Sequence, residues 1–215
     1  MHHSREHPSP RYRELVGMYR EMHLRGASGA GLTAEQTFDG QSLLNHLMRI
    51  KSLIERTAAR TILDYGSGKG TLYRPRLVRI KNVGSFDSVM DYWGVDSVAC
   101  YDPAYPPFST LPAETFDGVI CTDVMEHCPE EDIPWIVEEL FSFARRFLFV
   151  NAACYPASKL LPNGENAHCT VRPPDWWVAV LREAAQRHPE VFWELRVDVT
   201  PPGQPGRAPQ THSAG

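Results

Sequence analysis

The chain has 215 residues, enough for one α/β domain with a hydrophobic core and too few for two ordinary domains. Hydrophobic residues make up 42% and charged residues 22% of it, as in globular proteins. The formal net charge of -4 provides no overall basic field, which argues against a nucleic-acid partner. Because the N-terminus is polar and no apolar run approaches about 18 residues, we expect neither a signal peptide nor a membrane span.

Cysteine usage indicates a reducing compartment. The five cysteines form no CxxC pair, and an odd count leaves any disulfide framework incomplete. We therefore predict free thiols and a cytoplasmic location. We assign no metal ligands, and we interpret the histidines among the first ten residues as part of a disordered tail over 1–10.

Two helices are predicted ahead of the first strand. Apolar residues recur at helical spacing from Arg11 to His23, and again from about Ser42 to Ala58, where Arg49 lies on the polar face. The glycine-rich segment 25–31 separates the helices and is typical of a hinge. We therefore predict that residues 11–58 form a helical lid over the strand ends.

The rest of the chain alternates strands with helices. The predicted strands are 62–64, 98–102, 116–123, 147–150 and 191–199, and the predicted helices are 85–93, 129–146 and 175–186. Such alternation implies right-handed crossovers and a mostly parallel sheet, which predicts a Rossmann-like α/β domain over 59–200. Apart from 85–93, the pattern leaves 71–96 undetermined. Residues 201–215 are rich in Pro, Gly, Gln and Ser and are predicted to be disordered.

Polar residues stand at or near the ends of four predicted strands. They are Asp64, Asp102, Asp123 and Asn151. In open parallel sheets, ligands bind beyond the carboxyl ends of the strands. The sequence therefore predicts a single site at that edge of the sheet.

The glycine-rich stretch from Leu63 to Gly70, LDYGSGKG, is the candidate ligand-binding turn. A phosphate-binding loop would need GxxxxGK[ST], but here Gly70 follows Lys69. A dinucleotide-binding turn would need GxGxxG, and its third glycine is missing at the required position. A third ligand, S-adenosylmethionine (SAM), is suggested by the resemblance of this stretch to a known family.

Two segments resemble motifs of class I SAM-dependent methyltransferases. Residues 63–70 resemble motif I, and residues 116–127, FDGVICTDVMEH, resemble motif IV of the UbiG-like and type-11/12 groups. The resemblance covers roughly residues 40–155 and implies SAM as the cofactor, with Asp102 accepting the ribose hydroxyls. The cofactor-binding residues it implies are Asp64, Tyr65, Gly66, Ser67, Gly68, Gly70, Asp102, Pro103, Thr122 and Asp123.

The chain departs from that family on both sides of Asp102. The stretch from Gly70 to Asp102 is longer than the crossover needs, and the stretch from Asp102 to Phe116 is too short for another helix and strand. Either the sheet has lost a strand, which we prefer, or Asp102 is the later acidic position on the adenine side. The antiparallel strand near the C-terminus is also expected to be missing, because the polar tail begins at Pro201.

Acceptor-side residues are sought after the third and fourth strands and on the first helix. The candidate catalytic residues are Glu126, His127 and His168, and the candidate substrate-binding residues are Tyr19, Asn151, Tyr155 and Asn166. Three structural alternatives stay open: His127 as a residue packed on the sheet, Tyr19 as a core residue of the first helix, and the Asn166 segment as a rigid turn. A base is needed only if the acceptor must lose a proton.

The sequence favours a small-molecule acceptor. Neither the Asn-Pro-Pro-Tyr motif of amino-group DNA methyltransferases nor a Pro-Cys pair follows the third strand. Two other functions stay open: a catalytically degenerate SAM-binding or scaffold subunit, and a nicotinamide-dependent oxidoreductase. The oligomeric state and the acceptor atom are left open.

Overall fold

A computed structural model describes residues 3–27, 31–75, 77–80, 83–204 and 206–214. The helices are α1 (Pro10–Arg25), α2 (Leu47–Thr57), α3 (Val89–Trp93), α4 (Ile133–Phe143) and α5 (Pro174–Ala185). The strands are β1 (Thr61–Tyr65), β2 (Val78–Ile80), β3 (Gly84–Phe86), β4 (Ser97–Tyr101), β5 (Phe116–Thr122), β6 (Ala144–Ala153), β7 (Phe192–Asp198) and β8 (Gln210–Ala214).

The main sheet has six strands in the order β4-β1-β5-β6-β7-β8, and all neighbouring pairs except β7-β8 are parallel. This α/β architecture is compatible with a Rossmann-like fold. Every residue of β5 is buried, as expected for a central strand covered on both faces. The undetermined stretch after β1 contains a separate antiparallel pair, β2-β3. The helix predicted over 85–93 is shorter than expected, because residues 85 and 86 belong to β3 and α3 begins only at Val89.

Alternation along the strands divides the core into two layers. Leu63, Val119 and Leu148 pack against α4 and α5 on one face of the sheet. Their neighbours Ile62 and Ile120 face α2 and α3 on the other. These strands are apolar on both faces because both faces are covered by helices.

Helix α2 belongs to one of these covering layers. Its Leu47, Ile50 and Ile54 are buried in the same cluster as Ile62. The predicted lid over 11–58 therefore does not describe α2. Arg49, expected to be solvated, forms a salt bridge with the buried Glu194 of β7. Residues 28–30, inside the predicted glycine hinge, lie outside the described part of the chain.

Residues 3–10 are ordered, so the prediction of a disordered tail over 1–10 is wrong for them. Arg5 forms a salt bridge with Glu139 and donates to the hydroxyls of Tyr65 and Tyr101, both at 2.8 Å. Composition cannot reveal these partners, which come from distant strands and from α4. Residues 1 and 2 lie outside the described part.

The C-terminal prediction is also wrong in part. Residues 210–214 form β8, which pairs antiparallel with β7, although we expected a disordered tail over 201–215 and no such strand. The segment QTHSA has little apolar side chain to bury. Its pairing instead uses backbone hydrogen bonds at the open edge of β7, which a hydrophobic pattern does not reveal. Residues 205 and 215 are not among those described.

Strand β4 lies at the other edge of the sheet. Between Asp102 and Phe116 the chain forms only a 3₁₀ turn at Pro106–Phe108, in line with our preference for a lost strand there. No helix in the described ranges is long and apolar enough to cross a membrane.

Candidate functional site

The strand order β4-β1-β5 brings three polar chain ends together at one edge of the sheet. The glycine turn follows β1, Asp102 follows β4, and Asp123 follows β5. The turn is fastened to the end of β4, because the Gly66 amide donates to the Tyr101 carbonyl at 2.7 Å and the Gly68 amide to Oδ2 of Asp102 at 3.0 Å.

The glycines of the turn make room for other segments of the protein. At Gly66 (φ 84°) an added Cβ would lie 2.3 Å from the Val124 side chain, and at Gly68 (φ 56°) it would lie 2.4 Å from the Phe38 carbonyl oxygen. Both residues have a left-handed backbone conformation, in which glycine is favoured. The loop around Phe38 is thus packed directly against the turn.

Two cavities flank this turn. The first has a volume of about 130 Å³ and lies between the turn, Asp102 and α1, which contributes Tyr12, Leu15, Val16, Tyr19 and His23. The second has a volume of about 210 Å³ and has a more polar lining that includes Asp64, Ser67, Thr71, Tyr73 and Thr122. Both are lined by Phe38, Gly66, Gly68, Asp123 and Lys159. Together they form an elongated site across the turn.

Nine of the ten predicted cofactor-binding residues line one cavity or both. The exception is Tyr65, whose ring is buried in the core and whose hydroxyl donates to Glu139 at 2.6 Å. Successive residues of a strand point to opposite faces, so Asp64 and Tyr65 cannot both face the site. The prediction is therefore wrong for the Tyr65 side chain.

Asp102 holds the turn while lining the first cavity. Its Oδ2 accepts from the Gly68 amide, its Oδ1 accepts from the Ala104 amide at 2.8 Å, and His23 Nε2 lies 3.6 Å from Oδ2. Each carboxylate oxygen can accept a further hydrogen bond. Asp102 is therefore both the cap of its strand and an available acceptor in the cavity.

Asp64 lines the second cavity but is almost fully buried, and it accepts a hydrogen bond from the Tyr73 hydroxyl at 2.7 Å. Burial raises the pKa of Asp64 to about 7, against the lowering effect of that hydrogen bond, and the charge of Asp102 raises it further. At neutral pH this carboxyl group is a mixture of protonated and ionised forms. A cation in the second cavity would favour the ionised form.

Of the four predicted substrate-binding residues, only Tyr19 lines a cavity beside the turn. Asn151 lines neither cavity, and its side-chain amide donates to Oδ2 of Asp198 at 2.8 Å. The Asn166 amide group bonds both the N–H and the carbonyl of Ala157, which is the rigid turn given above as the alternative. Tyr155 also lines neither cavity, but its carbonyl accepts from His168.

The candidate catalytic histidines converge with Asp123. His127 lies in a 3₁₀ turn, Met125–His127, which begins two residues after Asp123. The backbone of Asp123 has a left-handed conformation, with φ 59°. His168 comes from the loop between β6 and α5, and the centroids of the His127 and His168 rings are 4.8 Å apart. Burial lowers the pKa of His127 to about 4, despite the opposing charge of Asp123. His127 is therefore a neutral imidazole near neutral pH.

Glu126 lies beneath this cluster and lines neither cavity. Its side chain is fully buried, and Oε1 accepts from the Ala153 amide at 2.8 Å, while Oε2 has no hydrogen-bond partner in the described part of the chain. Burial, and then the charge of Asp123, raise the pKa of Glu126 well above its usual range. Glu126 therefore does not reach either cavity beside the turn.

Sequence reasoning missed two residues that line both cavities, Phe38 and Lys159. The Lys159 ammonium lies 5.2 Å from the centroid of the Phe38 ring. Both residues lie in segments without helical or strand periodicity, so nothing local identifies them as site residues. The length of the loop after β6 was the only signal, since long ordered loops are often functional.

Comparisons with protein-family models, with curated proteins and with solved structures found no match to this chain.

Proposed function

We propose that the protein is a SAM-dependent methyltransferase acting on a small molecule. The observation that carries the proposal is the elongated site across the glycine turn, flanked by acids from three adjacent strands. A ligand for this site needs an apolar, flat end with hydroxyls and a polar, charged end. SAM has both, in its adenosine and its methionine.

The two cavities suit the two halves of the cofactor differently. The adenosine would occupy the first cavity, where Asp102 can accept hydrogen bonds from the ribose hydroxyls. The methionine would occupy the second cavity, with Lys159 as the partner of its carboxylate and Asp64 near its ammonium. The sulfonium would then lie near Gly66 and Asp123, which line both cavities.

Methyl transfer at this position depends mainly on placing the acceptor. The reaction is an in-line displacement at a carbon that the sulfonium already activates, and orientation can supply about 7–11 kcal/mol of the barrier reduction. Asp123 and His127 line the first cavity, and α1 covers it. We infer that the acceptor is held on the Asp123 and His127 side of the first cavity, next to the adenosine, and that α1 moves outward to admit both.

A SAM-binding subunit without activity is the second candidate. The observation that favours it is the tight packing of the Phe38 loop and α1 around the turn, which leaves about 130 Å³ in the first cavity. If this packing does not open, the site binds a cofactor but admits no acceptor. Binding and turnover therefore have to be measured separately.

Calorimetry with S-adenosylhomocysteine (SAH), SAM and NADH tests the cofactor assignment. We expect one SAH or SAM per chain and no binding of NADH. Lys159→Met should weaken SAH binding about tenfold, because a hydrogen bond to a charged group is worth about 1.5 kcal/mol. Arg182→Met, which removes an exposed cation on α5, should leave it unchanged.

Two results would overturn the assignment: neither SAM nor SAH binds, or NADH binds in their place. Transfer of labelled methyl from SAM to a metabolite extract then separates the two candidates. Labelled product supports the enzyme. Cofactor binding without product from any extract supports the subunit without activity.

A further inference from the structure

Three side chains with metal-binding groups converge at the edge of the site. Asp123 and His127 follow β5, and His168 comes from the loop after β6; one ligand atom from each lies within 4.8 Å of the other two. The cluster is graded in exposure, with Asp123 exposed, His127 half-buried and His168 buried. Asp123 and His127 also line the first cavity.

The hydrogen bonds of the histidines fix which ring nitrogen is available. His168 Nδ1 lies 2.6 Å from the Tyr155 carbonyl, and His127 Nδ1 lies 2.9 Å from the Ala167 carbonyl. A carbonyl only accepts, so both Nδ1 atoms carry the proton and both Nε2 atoms carry a lone pair. Metal-binding histidines are commonly oriented in this way, with the other nitrogen donating to a carbonyl.

Tyr19 reinforces this arrangement for His127. Its hydroxyl donates to the same Ala167 carbonyl at 2.8 Å and lies 3.1 Å from His127 Nδ1. Because the hydroxyl hydrogen is used by the carbonyl, the Tyr19 oxygen can only accept from Nδ1–H. The ring of His127 is thus held in one tautomer by two oxygens.

Glu126 is a second buried polar group at the cluster. It is completely buried, and its Oε2 has no hydrogen-bond partner among the described residues. Its neighbour is the carboxyl group of Asp123, a second acid rather than a cation. A buried polar atom without a partner is costly, and the coordination shell of a cation bound by Asp123 would supply one.

We propose that Asp123, His127 and His168 bind one divalent cation, with Glu126 in its second coordination sphere. Two imidazoles and one carboxylate suit Mn²⁺, Fe²⁺, Co²⁺ or Zn²⁺ better than Mg²⁺ or Ca²⁺, which prefer oxygen ligands. An ion centred among the three ligand atoms would lie at most about 2.8 Å from each of them. Small side-chain movements would shorten these ion–ligand distances to about 2.1 Å, the length of a typical coordination bond.

The remaining coordination positions of the ion would be open to the first cavity. Water or the oxygen of an acceptor could bind there, and a bound cation lowers the pKa of such an oxygen. This second step rests on the proposed methyltransferase function, in which the acceptor enters the same cavity. A hydroxyl compound is then the expected class of acceptor: its proton is lost to water, the methyl carbon–sulfur bond of SAM breaks as the carbon–oxygen bond forms, and SAH is the leaving group.

Titration of the purified chain with Mn²⁺ alone, followed by electron paramagnetic resonance, tests the site without any cofactor. We expect one bound Mn²⁺ per chain. Asp123→Asn and His168→Gln should each weaken binding at least tenfold. Replacing His3 and His7 together by Gln, and separately His188 by Gln, should leave it unchanged, since these histidines lie outside the cluster.

Asp123 is exposed, so its Asn variant is expected to fold, and thermal unfolding of each variant verifies this. The proposal is overturned if the native chain binds no Mn²⁺, if the folded Asp123→Asn variant binds it as well as the native chain, or if the N-terminal histidine variant loses the site. His168 lines neither cavity beside the turn, so His168→Gln should still bind SAH. Loss of metal with SAH binding retained separates this site from the cofactor assignment.

Discussion

Asp64 shows how a single buried carboxyl group can couple stability to pH. Folding removes it from water and gives it the Tyr73 hydroxyl as its hydrogen-bond donor. Its pKa is 3.8 as a free side chain and about 7 in the folded protein, chiefly because of burial. Between these values the folded state binds more protons than the unfolded state, so the free energy of unfolding falls as the pH rises.

Replacing Asp64 with Asn should remove this pH dependence. Asn is neutral at all pH values and can still accept from Tyr73. From pH 5 to pH 8 we expect the variant to gain about 2–3 kcal/mol of stability relative to the native chain. Urea unfolding at both pH values measures the change. Asp175→Asn, at an exposed position, should follow the native chain, and an unchanged slope in Asp64→Asn would refute the raised pKa.

At the residue scale, the sequence predicts strand-end positions well and loop contributions poorly. Asp64, Asp102 and Asp123 could be located because a buried apolar run and the residue that ends it are local features. Lys159 and Phe38 reach the site through irregular segments, whose course depends on the whole fold. Asn151 shows a third limit: a side chain near a strand end can be directed to a neighbouring strand, and this one donates hydrogen bonds to β7.

At the scale of elements, α1 is positioned by the segment that precedes it. Ser9 caps the helix by accepting from the Tyr12 amide, and it also donates its own amide and hydroxyl to the buried Asp132. Arg5 adds the salt bridge to Glu139. These contacts hold α1 over the first cavity. Any opening of the site by α1 has to break or bypass them.

Arg5→Met should loosen the start of α1 and destabilise the fold. The change leaves the mostly buried Glu139 carboxylate without its cation and removes two hydrogen bonds to tyrosine hydroxyls. We expect a loss of about 1–3 kcal/mol in denaturant unfolding, with faster hydrogen exchange at the amides of α1. Arg11→Met, which breaks exposed ion pairs, should cost less than about 0.5 kcal/mol. Equal losses in the two variants would contradict this account of α1.

Periodicity predicted that α1, α2, α4 and α5 exist, but it did not predict what α2 covers. A helical pattern identifies the apolar face and carries no information about the partner of that face. Helix α2 was therefore predicted to be part of a lid, although it packs on the sheet through Leu47, Ile50 and Ile54. Arg49 shows the same limit, because its partner Glu194 is far away in sequence.

For the whole molecule, the sequence predicts the class of fold and not its edges. Alternating strands and helices were sufficient to predict a mostly parallel sheet with a site at the strand ends. The edges depend on backbone pairing, which leaves little trace in composition. The edge strand β8 could therefore not be identified, while β4 could be placed because Asp102 to Phe116 is too short for another strand.

Strand β8 should protect the sheet, and removing it tests this. Ending the chain after Thr200 leaves β7 as an edge, with the backbone groups that now pair from Trp193 to Val197 exposed to solvent. Three residues of that stretch, Trp193, Leu195 and Val197, are buried apolar residues, so the new edge would be a template for another chain. We expect a melting temperature lower by several degrees and concentration-dependent association in sedimentation experiments. A chain in which a Gly/Ser linker replaces 201–209 but 210–214 remain should behave like the native protein. If the shortened chain keeps the native stability and association state, β8 contributes nothing to either.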